Sequence, residues 1–136
     1  PAWFTQRFPS TYRATPLFEP RMSARIGLQA LPGGRADVLV SVPERALLEL
    51  LSDVGKGQSL ASARQIVEGL TGLRAKVLDE LLAGTTRIKV IRLAHDLAVT
   101  AGQSWSTVTA GHARRIGRAG WVAVTKSGER IDLRRR

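Results

Sequence analysis

Cysteine is absent from this sequence, methionine and tyrosine occur once each, and acidic residues are scarce. The lack of cysteine excludes disulfides, thiolate metal sites and cysteine nucleophiles, and it fits a reducing compartment such as the cytoplasm. No apolar run approaches the roughly 20 residues that a membrane-spanning helix needs. No apolar secretory segment opens the chain either.

The charge of the chain is strongly positive and uneven. Its 21 Lys and Arg exceed its 11 Asp and Glu, so the net charge is +10. Residues 1–40 carry 5 bases and 2 acids (+3), residues 41–100 carry 8 and 7 (+1), and residues 101–136 carry 8 and 2 (+6). Such an asymmetry favours a polyanionic partner, either a nucleic acid or the acidic face of a protein. The alternative is that the basic end only aids solubility.

The order of elements predicts an α+β fold. A length of 136 residues and an apolar content of 43% suit one globular domain with its own core. We expect a β-rich arm and hairpin over 1–40, a helical body over 41–102 and a basic β-rich tail over 103–136. The N-terminal and C-terminal hairpins would form a small antiparallel sheet packed on three to four helices.

The first helix is predicted from its start signal. Ser41 and Glu44 have the spacing of a capping box, in which each side chain satisfies a backbone N–H group. Pro43 falls in the first turn, where a missing N–H costs nothing. The residues that follow Arg45 place leucines at helical spacing, so one face must be buried. We take Ser41, Pro43, Glu44 and Arg45 as a structural motif.

Three further helices are predicted before residue 102. Ser59 is the expected N-cap of the second, and Gly84 the expected left-handed end of the third. The fourth, at about 86–101, is apolar over most of its circumference, which predicts a central position. Its narrow polar stripe contains Lys89 and Arg92, which we expect to be either a solvated face or a second contact surface.

The basic end of the chain provides the main candidate contact site. Residues 111–120 combine glycines with Arg114, Arg115 and Arg118, and no helix is expected to start at Gly117-x-x-Gly120. Arginine forks bind phosphate, and glycines let backbone N–H groups approach an anion. The segment lacks a nucleotide-binding fingerprint, so a phosphate-backbone contact, a protein contact or a solvated loop remain open. Lys126, in the turn between two predicted final strands, joins this set.

No catalytic, metal or cofactor site is predicted. His95 and His112 are the only histidines and lack metal-ligand spacing. We expect His95 to be a hydrogen-bonded histidine at the edge of the core, and His112 to join the basic surface. Trp105 and Trp121 are expected in the core, with stacking on nucleic-acid bases as the alternative.

Several segments resemble one protein family. The run S-x-P-E-R-A-L-L-E-L-L at 41–51 is similar to the central motif of the C-terminal domain of AbiEi-family antitoxins. The segments G-L-T-G-L-R at 69–74, R-I-K-V-I-R-L at 87–93 and I-G-R-A-G at 116–120 also resemble that family. The resemblance covers about residues 36–125. No helix triplet for the family's N-terminal winged helix-turn-helix precedes Ser41, so we expect the chain to correspond to the C-terminal domain.

The resemblance implies a regulator of a type IV toxin–antitoxin system in phage defence. Such a protein would be a non-enzymatic antitoxin and transcriptional regulator, with operon DNA and a nucleotidyltransferase-like toxin as its partners. Two alternatives stay open from the residues alone. One is a general nucleic-acid-binding or protein-docking domain with a basic surface, and the other is an enzyme acting on nucleic acid.

Overall fold

A computed structural model describes residues 16–20, 22, 26–31, 33–34, 37–118, 122–125 and 128–133. Within these residues the chain forms two two-stranded antiparallel sheets and five helices. The elements in order are β1 Leu28–Ala30, β2 Leu39–Ser41, α1 Pro43–Ser52, α2 Leu60–Gly69, α3 Ala75–Ala83, α4 Ile88–Thr100, α5 Ser106–Arg115, β3 Val122–Val124 and β4 Arg130–Asp132. The predicted α+β class is confirmed, with separate hairpins instead of one sheet and one helix more than expected.

Helix α4 lies at the centre of the helical body. Eight of its 13 residues are buried, and it contacts α1, α2 and α5. Among them Leu93 and Leu97 are 1% and 5% exposed, and burial of one such side chain contributes about 1.5–3 kcal/mol. The apolar circumference read from the sequence therefore does correspond to a helix surrounded by others. No helix in the described part of the chain combines the length and apolarity needed to cross a membrane.

The capping box predicted for α1 is wrong. The N-cap is Val42, and no side chain caps this helix. Ser41 is still the last residue of β2, paired with Leu28, and its hydroxyl donates to Glu49 Oε2 at 2.9 Å. Because the strand continues to the residue before the N-cap, the Ser41 side chain lies too far back to reach the first turn. Pro43 does occupy that turn, as predicted.

The predicted start of α2 is confirmed, whereas the predicted left-handed end of α3 is wrong. Ser59 caps α2 by accepting a hydrogen bond from the backbone N–H of Ser62 at 3.1 Å. Gly84 follows α3 with φ of −90°, so it is not the left-handed end that was predicted. A Cβ atom at this position would meet the Met22 thioether, so the Met22 side chain packs closely over the glycine and would have to shift to admit a larger residue.

Helix α5 corrects the prediction of a β-rich tail over 103–136, which included no helix. It runs without interruption from Ser106 to Arg115, although it contains Gly111 and has no acidic residue in its first turn. Its contacts with α4 and α3 supply the stability that its sequence lacks. Trp105, which is 2% exposed, precedes it and donates its indole N–H to the Leu70 carbonyl at 2.7 Å.

Strands β3 and β4 form the C-terminal hairpin, which packs on the core. Val122 pairs with Asp132, and Val124 with Arg130. Ile131, on the opposite face of β4, is buried in the core. Trp121, Lys126 and residues 1–15 of the predicted β-rich arm lie outside the described residues. That the 136 residues form one domain stays a prediction.

Candidate interaction surface

The predicted cluster of Arg114, Arg115 and Arg118 surrounds the C-terminal end of α5. All three side chains are exposed. Helix α5 has a basic last turn, and cations there interact favourably with the negative end of the helix dipole. Gly117, at φ +63°, then turns the chain away. The helix end therefore presents three cations on a short stretch of backbone.

The side chains of this cluster nevertheless point in different directions. Arg115 turns towards α3. Its guanidinium donates to the Leu82 carbonyl of α3 and to Nδ1 of His112, which is in α5 itself, both at 3.3 Å. Arg114 lines a cleft on the side of α4 and β4. Adjacent residues on a helix point about 100° apart, which explains why the two arginines have different neighbours. Arg118 is exposed beyond the helix end.

The second predicted contact surface is buried, which corrects the sequence analysis. Lys89 and Arg92 are each 7% exposed. Lys89 Nζ donates to the Ser52 carbonyl at 2.8 Å, and the Arg92 guanidinium donates to the Gly117 carbonyl. The two side chains join α4 to the end of α1 and to the turn after α5. Neighbouring elements thus cover this part of the polar stripe on α4, and both side chains are largely buried.

His112 joins α5 to α3. Its Nε2 lies 2.7 Å from Asp79 Oδ1, while its Nδ1 faces the Arg115 guanidinium. Because a guanidinium only donates, Nδ1 accepts and Nε2–H donates to the carboxylate. His112 is thus a packing residue at a helix contact, not part of the open basic surface.

His95 joins α4 to α5. It is half-buried, and its Nδ1 lies 3.1 Å from Thr109 Oγ1. This is the position expected from the sequence, at the edge of the core with a hydrogen-bond partner. Both histidines therefore fix the position of α5. No group of three or more His, Asp or Glu residues that could hold a metal ion is found within the described ranges.

The structural motif at the start of α1 makes two distinct contacts. Glu44 is 1% exposed and accepts hydrogen bonds at Oε1 from Arg74 Nε at 3.0 Å and Nη2 at 2.7 Å. Arg45 extends to the N-terminal segment, where it donates to the Ile26 carbonyl at 2.6 Å and lies 4.9 Å from the centre of the Phe18 ring. Glu44 therefore joins α1 to the start of α3, and Arg45 holds the N-terminal segment against α1.

A cleft of about 750 Å³ lies between α2, α4, α5 and β4. Its lining includes Leu93 and Leu97 of α4, and charged side chains from each of the four elements. The cations are Arg64, Arg92, Arg114 and Arg130, and the carboxylates are Asp96, Glu129 and Asp132. Neither Arg64 nor Arg130 was predicted to belong to a contact site. They are far from Arg114 in the chain, and no spacing connects them.

Comparison with known proteins points to one family. A family model described as "Transcriptional regulator, AbiEi antitoxin, Type IV TA system" matches residues 1–133, nearly the whole chain. The comparisons with curated proteins and with solved structures found no match to this chain.

Proposed function

Since the chain belongs to the AbiEi antitoxin family of transcriptional regulators from type IV toxin–antitoxin systems, we propose that it takes part in repressing its own operon and in neutralising a nucleotidyltransferase-like toxin. It does so in the cytoplasm and without catalysing a reaction. The DNA target is the promoter of that operon. A winged helix-turn-helix of the family's kind would supply sequence-specific recognition, and the present residues would add phosphate contacts.

The exposed cations at the end of α5 carry this proposal. Arg114 and Arg118 make no ion pair with a carboxylate in the described part of the chain. Several carboxylates elsewhere are already engaged within the protein, among them Glu44 by Arg74 and Glu49 by Arg45. The positive charge at the α5 end is therefore available to a polyanion. Arginine suits this role because its planar fork matches two phosphate oxygens.

The polar groups around α5 have structural partners that account for them. His112 and Asp79 hold α3 and α5 together, and His95 is bound to Thr109. Lys126 belongs to the proposed contact set by its sequence position alone, since it lies outside the described residues. We therefore propose that the chain acts by binding.

A charge-reversal pair tests the DNA part of the proposal. The variant R114E/R118E should weaken binding to the operon promoter and reduce the slope of log K against log salt by about 2, because each lost phosphate contact removes about 0.9 from the slope. The matched control is K56E/K76E, which changes the net charge equally at two exposed lysines, one in the loop after α1 and one in α3. An equal loss in both variants would show that total charge alone acts.

The antitoxin part is tested in cells that express the toxin from the neighbouring gene. The wild-type chain should restore growth, and a promoter reporter measured in the same cells follows operon repression. Failure of the wild-type chain to restore growth would exclude the antitoxin role. Loss of repression without loss of protection in R114E/R118E would show that the α5 end serves DNA binding only.

A further inference from the structure

The Arg115 guanidinium is held by two acceptors through a single nitrogen. Its Nη2 donates to the Leu82 carbonyl and to His112 Nδ1, both at 3.3 Å. A guanidinium can bind two phosphate oxygens along either of two edges, and Nη2 belongs to both edges, once with Nε and once with Nη1. Nη2 has two N–H groups and makes two hydrogen bonds. Neither edge therefore has both of its donors free for a phosphate, although the side chain is exposed.

His112 can hold Arg115 only while its ring is neutral. In the structure Nδ1 accepts from the guanidinium, and Nε2–H donates to Asp79 Oδ1 at 2.7 Å. A second ring proton would occupy Nδ1, so a donor would face a donor and two positive charges would meet. The bond to Asp79 would remain and become charge-assisted. Protonation of His112 therefore breaks the bond to Arg115 but keeps the contact between α3 and α5.

The other charged groups near α5 are either solvated or bonded elsewhere. Helices α3 and α4 pack against α5. Besides Asp79, the charged or titratable side chains of these two helices are Lys76, Glu80, Lys89, Arg92, His95 and Asp96. The first two and the last are exposed, and the remaining three bond to Ser52, Gly117 and Thr109. Among the described residues, Asp79 and Arg115 are therefore the charged groups in direct contact with the His112 ring.

We propose that Arg115 is a third phosphate contact at the end of α5 and that protonation of His112 makes it available. This inference rests on the proposed function, in which Arg114 and Arg118 bind phosphate, and adds a regulated contact to that site. Histidine is the side chain that ordinarily gains a charge between about pH 8 and pH 5. As the pH falls through this range, His112 releases Arg115 and one edge of the guanidinium becomes free. The affinity for a phosphate backbone then rises.

The salt dependence of DNA binding counts phosphate contacts and so tests the proposal. The probe is a random-sequence duplex, because phosphate contacts carry no sequence information. For the wild-type chain the slope of log K against log salt should be steeper by about 0.9 at about pH 5.5 than at about pH 8, because one contact is added. R115Q should lose this difference, and so should H112Q, because a glutamine side chain gains no proton in this range.

The matched control is H95Q, because His95 is the other histidine of the chain and bonds to Thr109 instead of an arginine. This variant should keep the difference in slope between the two pH values. An equal slope at both pH values in the wild-type chain would overturn the proposal. So would a difference that survives in R115Q, or one that is lost in H95Q and kept in H112Q.

Release of Arg115 can be measured without DNA by NMR spectroscopy. The Nε–H signal of Arg115, assigned by its absence from R115Q, should shift with the same midpoint as the His112 ring signals and should not depend on pH in H112Q. Circular dichroism should show the same helix content at both pH values, because the Asp79 bond remains. An Arg115 signal that does not follow His112, or a loss of helix at the lower pH, would contradict the inference. The proposed function is judged separately, by the promoter reporter.

Discussion

The pair formed by Glu44 and Arg74 offers the sharpest test of how α1 and α3 are held together. The Glu44 side chain is 2% exposed, whereas that of Arg74 is 59% exposed. Removal of Arg74 therefore leaves a buried carboxylate without its cation, while removal of Glu44 leaves an arginine that water can solvate. The two single substitutions should have unequal effects.

The expected loss follows from the geometry. Breaking a fully buried ion pair by removing one partner costs about 3–5 kcal/mol. Arg74 is more than half exposed, so water replaces part of its interaction, and we expect about 2–3 kcal/mol for Arg74→Ala, in the range of a lost charged hydrogen bond. At roughly 4 °C for each kcal/mol in a domain of this size, the melting temperature should fall by about 8–12 °C. Glu44→Gln should cost less, because the amide keeps the shape of the side chain without its charge.

Thermal and urea unfolding of R74A, E44Q and the double variant would measure these values. The double-mutant cycle should give a coupling energy of about 1–2 kcal/mol, since the side chains are in direct contact. Lys76→Ala is the control, because Lys76 is exposed and lies in the first turn of the same helix. If R74A unfolded within about 0.5 kcal/mol of K76A, the size of ordinary surface substitutions, the buried carboxylate would not depend on Arg74.

Two further substitutions probe the N-terminal segment and the placement of α5. Gly27→Ala should lower the free energy of unfolding by about 2 kcal/mol or more, because Gly27 has φ of +78° and a Cβ there would lie 2.9 Å from Arg45 Cβ. The control is Gly69→Ala, where nothing lies within 4 Å of the added atom. In denaturant unfolding it should be neutral or slightly stabilising. His112→Ala removes the contact with Asp79 and should cost about 1–2 kcal/mol. Hydrogen exchange should then rise mainly in α5, and uniform exchange across all helices would contradict a local role.

The sequence predicts the helices that have strong periodicity. The apolar circumference of 86–101 indicated a central helix because few arrangements other than a bundle interior can bury it. The cap at Ser59 and Pro43 in the first turn of α1 were also predictable, because both depend on neighbouring residues only. Helix α5 was not predictable in the same way, because it contains Gly111 and its apolar face is weak. Its stability depends on α3 and α4, which are distant segments that its own sequence does not reveal.

The candidate site shows the same division between local and distant information. The sequence by itself determined that the chain is basic, that its cations concentrate towards the end and that Arg114, Arg115 and Arg118 stand close together. The tertiary structure decided which cations a partner can reach. Lys89 and Arg92 belong to a polar stripe, but the end of α1 and the turn after α5 cover these two side chains. Periodicity gives the direction in which a side chain leaves its own helix, whereas burial depends on which distant segment packs against that face.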